Sequence, residues 1–219
     1  GLISLKELQT ELGKLDLHGY SLKAEKKMKN GIAGTQFTVE MVKHSHDGHE
    51  HTHGEKDEHS HEDKTHQHEE HEERHFTEIK KMIENSKLSA TVKRNAVKTF
   101  EILGITEAKV HNTTLEKIHF HEVGAIDSIV DIVGAAICFD KLNAQKIYCS
   151  EINTGEGTVK TEHGLIPVPG PATLEIAKGM PLYSNGTKKE LFTPTGAAIL
   201  KTYVSEFQPR QKMRIEKIG

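Results

Sequence analysis

Only two cysteines, Cys138 and Cys149, occur in 219 residues. They form neither a disulfide framework nor a zinc-finger spacing. There is no apolar run of about 18 residues, so no segment reads as a membrane-spanning helix. No charged stretch followed by an apolar one opens the sequence, and a cytoplasmic location is expected. The net charge is −3 with neutral histidine, which leaves no broad basic face. Neither nucleic acid nor membrane is therefore expected as a partner. Hydrophobic residues make up 35% of the chain, a low share to which one polar insert contributes. Without that insert the remainder looks globular, and it suffices for one fair-sized domain or two small ones. The chain starts at Gly1 rather than Met and runs almost at once into helical sequence, so it reads as a segment lacking its own N-terminus.

Histidine, by contrast, is in excess. Eleven of the sixteen histidines lie between Lys43 and Phe76, in HSHDGHEHTHGEKDEHSHEDKTHQHEEHEERH. With almost no apolar side chains this stretch cannot build a core, so residues 44–75 are expected to form a disordered insertion. Its imidazoles and carboxylates are the groups that bind late first-row divalent metals. Candidate ligands are the H-x-H pairs: His44 with His46, His49 with His51, His51 with His53, His59 with His61, and His66 with His68. His71 and His75 complete the set. Neutral imidazole is the competent ligand, so affinity should fall below about pH 6.5. Such ligands follow the Irving–Williams order and do not encode one metal. A floppy loop cannot hold a substrate in register, so the tract reads as a buffer or antenna for Ni²⁺, Zn²⁺ or a similar ion.

Outside the tract, residues 1–43 and 76–219 are expected to form one α/β or α+β domain, a mixed sheet with packed helices, incomplete at both ends. Helical spacing runs over Ser4–Leu15, from Phe76 through Ile83, over Ala90–Leu103 with Gly104 as terminator, and over Thr106–Leu115. It recurs in the apolar stretch Ile126–Leu142, over Ala172–Lys178, and from Pro194 onward. Strands are predicted at Tyr20–Met28, Thr35–Val42, Ile147–Ile152, Gly157–Thr161 and Lys212–Ile218. Pro167, Pro169 and Pro171 predict a stiff loop.

Three segments carry candidate chemistry. The first is HFHEVGAIDSIVD, from His119 to Asp131. His119 and His121 share a face if extended, and Asp127 and Asp131 share one on a helix. With Glu122 they could converge on one divalent ion; the alternative is that Asp127 caps the helix and the histidines satisfy local backbone. The second is NTGEGTVKTEHGLIPVPGP, Asn153–Pro171. Gly155 and Gly157 permit backbone approach to an anion and Lys160 supplies charge, or the stretch is only a turn and a rigid connector. The third is ELFTPTGAA, Glu190–Ala198. Thr193 suits an N-cap with Pro194 first in the helix, and that terminus, with Thr195, could receive a phosphate. Cys138 reads as a buried small hydrophobe, and a soft-ligand role for Cys149 is a minor alternative.

HFHEVGAIDSIVDIVGA, GEGTVKTEHGLIPVPGPAT and ELFTPTGAAIL, in this order, resemble the signature stretches of the nickel-insertion proteins that complete the nickel-pincer nucleotide cofactor of lactate racemase. The resemblance runs along nearly the whole chain outside the tract. It implies an enzyme, a nickel chelatase of the lyase class. Such an enzyme places Ni²⁺ into pyridinium-3,5-bisthiocarboxylic acid mononucleotide with formation of carbon–nickel and sulfur–nickel bonds. CTP with Mn²⁺ or Mg²⁺ is implied as co-reactant, at a C-terminal domain that this chain lacks. His119, His121, Glu122 and Asp127 would then serve as metal ligands or base. Gly155, Gly157, Lys160 and Thr195 would bind the nucleotide phosphate. The implied partners are the mononucleotide substrate and lactate racemase as acceptor; a homo-oligomer is left open. Two rivals need only the tract: a Ni/Zn metallochaperone or store without chemistry, and an exported zinc-scavenging solute-binding protein.

Overall fold

The computed structural model describes residues 3–42, 74–120, 125–161, 164–209 and 212–215, with His119 described by its backbone alone. The first helix, α1 (Leu5–Leu12), starts at a reciprocal capping box. Ser4 Oγ accepts the Glu7 N–H at 3.2 Å, and Glu7 Oε2 accepts the Ser4 N–H at 2.8 Å. A hairpin follows, β1 (Tyr20–Lys29) and β2 (Ile32–Met41), with Lys29 opposite Ile32. Its two-residue turn, Asn30-Gly31, has φ of 52° and 80°, the positive values that the tight hairpin turn demands. Gly34, expected in the connection, instead lies inside β2 opposite Lys27.

The chain is described again from β3 (Arg74–His75), which leads directly into α2 (Phe76–Asn85). Next comes α3 (Ala90–Val110), a single helix of 21 residues where the sequence suggests two. Gly104 does not terminate it. A Cβ there would lie 2.5 Å from Leu115 Cδ1 and 3.3 Å from Phe120 Cζ, so the glycine is a notch in the helix wall rather than a stop. The two-residue β4 (His119–Phe120) pairs antiparallel with β3. The apolar α4 (Ile126–Leu142) has the extent expected from sequence and ends at Asn143 in the left-handed region.

The predicted strand Ile147–Ile152 is divided, because its two halves have different partners. One half, β5 (Tyr148–Cys149), pairs parallel with β10 (Glu206–Phe207); the other, β6 (Ile152–Asn153), pairs parallel with β9 (Leu182–Tyr183). A second hairpin joins β7 (Thr158–Thr161) to β8 (Gly164–Pro167), so Pro167 ends a strand instead of stiffening a loop. Two helices, α5 (Pro171–Ile176) and α6 (Pro194–Tyr203), each begin with proline, whose fixed φ suits the first turn. Lys212–Ile215 form no regular strand, and the rest of that prediction lies outside the described residues. Among the described residues the strands form five two-stranded ladders around six helices, a mixed α/β architecture with parallel and antiparallel pairing.

One hydrophobic cluster unites these elements. From α4, Ile129, Val130, Ile132, Val133, Ala136 and Ile137 are all at most 1% exposed, against Phe100 and Leu103 of α3. Leu12 and Leu22, before the histidine tract, share this cluster with Phe76 and Ile79, after it. Cys138 is half-buried, and burial pushes its thiol up, as it does for Cys149 on β5. No described helix is long and apolar enough to cross a membrane.

The disorder and metal-binding expectations for the tract fall outside the described residues, except at Arg74 and His75. These two instead belong to the β3–β4 ladder. Deleting residues 44–73 is expected to preserve a single cooperative melt by circular dichroism while lowering metal stoichiometry. Loss of that transition would show that the tract supports the core.

Candidate active site

The amino end of α4 presents two carboxylates one turn apart, Asp127 and Asp131. The helix begins after Ala125, which offers no side-chain cap, and Asp127 Oδ1 accepts the Ser128 N–H at 2.7 Å. An acid in the first turn is favourable beside the positive end of the helix dipole. Asp131 is exposed as a residue, and partial desolvation of its carboxyl, then the charge of Asp127, shifts it upward from the ordinary carboxylate value.

Opposite them stands the amino end of α6. Thr193 Oγ1 accepts the Gly196 N–H at 3.2 Å, and Pro194 takes the first helical position, as the sequence predicts. Substituting Thr193 by Ala is expected to cost about 1 kcal/mol of stability, measurable by urea unfolding. Unchanged stability would remove the cap from the argument.

Between the two helix ends lies a cleft of about 600 Å³. Asp127, Ser128 and Asp131 line it from α4 and Thr195 and Gly196 from α6, with Thr193 and Glu190 also in the lining. Two motifs far apart in sequence thus share one cavity. The third motif braces it. Gly155 forms an isolated antiparallel bridge with Glu190, and Leu191 N–H donates to Thr154 O at 3.1 Å. Gly155 is buried at φ 69°, and a Cβ there would meet the Lys189 carbonyl oxygen at 1.8 Å. The next residue, Glu156, accepts bonds from Lys188 Nζ and Ser184 Oγ, which hold its carboxyl below the usual range.

Of the sequence candidates, Asp127 and Thr195 line the cleft. Gly155 lies behind it as backbone support. Gly157 and Lys160 are both exposed, and neither belongs to the cleft lining. His119 lies on β4, whereas His121 and Glu122 fall outside the described residues. So do the tract candidates His44, His46, His49, His51 and His53, and beyond them His59, His61, His66, His68 and His71. Their metal-ligating role therefore rests on the sequence. His75 lies on β3, where its backbone N–H donates to Glu78 Oε2 at 3.0 Å. The helical spacing of Asp131 from Asp127 marks it in sequence, whereas no local signal marks Glu190, because a long-range bridge positions it.

Aspartate, glutamate and hydroxyl oxygens suit a hard cation or a proton transfer rather than a soft metal. Among the described residues no group of three or more His, Cys, Asp or Glu side chains is placed to hold a metal ion. A larger cleft, of about 790 Å³, is lined in part by Lys14, Arg74, Lys81 and Lys87 and contains none of the candidate site residues.

A family described as nickel insertion protein matches residues 2–219. A pyridinium-3,5-bisthiocarboxylic acid mononucleotide nickel insertion protein of Desulfitobacterium hafniense (strain DSM 10664 / DCB-2) is 44% identical over 212 residues, covering 97% of this chain and 46% of the relative. A protein of the same description from Geobacillus kaustophilus is 42% identical, covering 98% of this chain and 48% of the relative. A putative nickel insertion protein of Dictyoglomus thermophilum is 38% identical, covering 99% and 50%. The chain therefore spans about half the length of the curated relatives it matches. No solved structure matches it.

Proposed function

The chain belongs to the nickel insertion protein family, and from that premise we propose that it handles nickel for insertion into pyridinium-3,5-bisthiocarboxylic acid mononucleotide, the compound in its relatives' names. The observation that carries this reading is the shared cleft, where Asp127 and Asp131 meet the amino end of α6.

The chemistry requires Ni²⁺ to displace a proton from a pyridinium carbon while two thiocarboxylate sulfurs take further positions on the metal. A base must accept that proton. Asp131 suits the task, because it lines the cleft and partial desolvation and Asp127 raise its proton affinity. His119, His121 and Glu122 are proposed as the nickel-handling side chains. Imidazole binds the ion well but exchanges it, as delivery requires. The Thr193–Gly196 turn would receive the mononucleotide phosphate, with Thr195 adding a hydroxyl. Asp127, Asp131 and Glu190 would repel a bare phosphate. A divalent Mn or Mg ion carried on the phosphate would neutralise that charge; the three carboxylates are not grouped so as to hold the ion by themselves.

On this reading the protein is a nickel chelatase forming nickel–carbon and nickel–sulfur bonds, hence a lyase. Residues 1–43 and 74–219 make its nickel-handling α/β domain, and the tract gathers the ion. CTP would bind outside this chain, and lactate racemase would receive the product in the cytoplasm. The rival is a Ni/Zn metallochaperone or store. It is favoured by the density of imidazole in the tract, which needs no ordered pocket to hold ions.

Reconstitution of lactate racemase by a full-length relative at limiting nickel separates the two. His121→Ala is expected to impair maturation more than loss of any single tract histidine. Equal activities would remove the HFHE segment from the mechanism, and nickel binding that vanishes with the tract would favour the store.

A further inference from the structure

The β1–β2 ribbon runs without a bulge from the Tyr20–Met41 rung to the Lys29–Ile32 rung. Strand alternation gives it two faces. One carries Leu22, Ala24 and Met28 of β1 with Val39, Phe37 and Ala33 of β2, interrupted by the Lys26–Thr35 rung; the other is largely polar. The inner half of the apolar face packs on the core through Tyr20, Leu22 and Val39. Its outer half is exposed, Met28 at 68% and Phe37 at 41%. A ribbon of two strands is marginal in water unless further strands or a packed face support it.

The two edges of the ribbon differ. On β1 stand Lys23, Lys26, Lys27 and Lys29, the kind of charge that keeps an edge strand from pairing. From Ile32 to Val39, β2 has no charged residue and no proline, and among the described residues it pairs with β1 alone. In a ladder closed by a two-residue turn, Lys29 and Ile32 form a hydrogen-bonded pair, so Ala33, Thr35, Phe37 and Val39 turn their backbone groups outward. Nothing described requires glycine at position 34, where a Cβ would meet no atom within 4 Å. Glycine inside a strand often marks the close approach of another backbone.

We propose that β2 pairs antiparallel with β2 of a second copy about a two-fold at Phe37, giving one four-stranded sheet and a symmetric dimer. Opposite positions of such a pair share a face, so this register keeps the apolar faces together. It sets Phe37 against Phe37, Thr35 against Val39, and Ala33 against Met41, which is 54% exposed in the single chain. Glu40 comes opposite Gly34, so no like charges meet. The exposed outer half of each ribbon then lies beside the inner half of the other, where the sheet rests on the core. The lysine-bearing β1 strands end outermost, so pairing stops at two copies instead of growing into a fibre. The interface does not depend on the nickel-insertion reading.

Sedimentation velocity of the whole chain over a range of concentrations is expected to show twice the mass of one chain. Phe37→Lys and Phe37→Glu each put like charges face to face on the two-fold and should weaken association tenfold or more. Mixing the two variants should restore the dimer, because Lys then faces Glu. A contact elsewhere, or a segment of the same chain lying on β2, would not give that recovery. Lys27→Gln, on the outer strand, should leave the mass unchanged, and circular dichroism checks that every variant is folded. A monomer at all concentrations overturns the proposal, as does a dimer that survives both Phe37 substitutions or a pair of variants that fail to combine. Species larger than a dimer overturn the closure at two. A full-length relative that stays monomeric while this chain dimerises would show that the rest of the relative covers β2, and would overturn the second copy as its occupant.

Discussion

Asp131→Asn is expected to lower nickel insertion by roughly 10²–10⁴-fold, the span typical for loss of a positioned general base. Asparagine keeps the shape and much of the hydrogen bonding, so binding of the mononucleotide should change far less than turnover. Asp131 is the described carboxylate in the cleft whose proton affinity is raised, by partial desolvation first and by Asp127 second. Two pH consequences follow. An acid raised in the folded state favours its protonated form there, so its contribution to stability is greatest below the ordinary carboxylate value. That contribution fades as pH climbs toward the raised folded value, and Asp131→Asn should abolish the fading. Asp127→Asn removes the second cause of the rise, so the acid limb of the pH–rate profile should move to lower pH. Maturation assays across pH, with full-length protein carrying each change, measure both effects. If Asp131→Asn matures cofactor at the wild-type rate, the base is another group, and His119, His121 and Glu122 are next in order.

Much of this site is legible in sequence because its parts are local. Four-residue spacing announces Asp127 and Asp131 on one face of α4, and Thr193-Pro194 announces the start of α6. Their convergence is not legible, since only the packing of α4 and α6 into one core brings the two ends together. Gly104 misleads for a related reason. Glycine after a helical run usually ends it, yet here the helix continues because Leu115 and Phe120 occupy the space a side chain would need. The split of Ile147–Ile152 into β5 and β6 depends on partners far downstream, near Glu206 and Leu182. Periodicity cannot report which partner a strand chooses. The β3–β4 rung lies at the same limit: two-residue strands carry no alternation to read.

Gly155→Ala is expected to destabilise the protein by about 3–5 kcal/mol, near the top of the range for single substitutions. Two costs combine. A left-handed backbone on a residue with a side chain costs of order 1–3 kcal/mol, and Gly155 sits at φ 69°. The added methyl would also meet the Lys189 carbonyl oxygen at 1.8 Å, so backbone must move on one side or the other. That movement would break the bridge to Glu190 and shift the segment feeding Thr193. Insertion activity should therefore fall with stability. Gly157 gives the contrast. Its φ of 106° imposes strain, but the nearest atom to a Cβ there is Lys188 Cδ at 3.9 Å, which is ordinary contact. Gly157→Ala should cost only about 1–2 kcal/mol. If Gly157 and Lys160 instead served a phosphate, both Gly157→Ala and Lys160→Gln would weaken mononucleotide binding, and Lys160→Gln would do so while leaving the melting temperature nearly unchanged. Parallel denaturation and binding titrations of the three variants separate backbone support from anion contact. A Gly155→Ala protein as stable as wild type would show that the Gly155–Glu190 bridge does not brace the cleft.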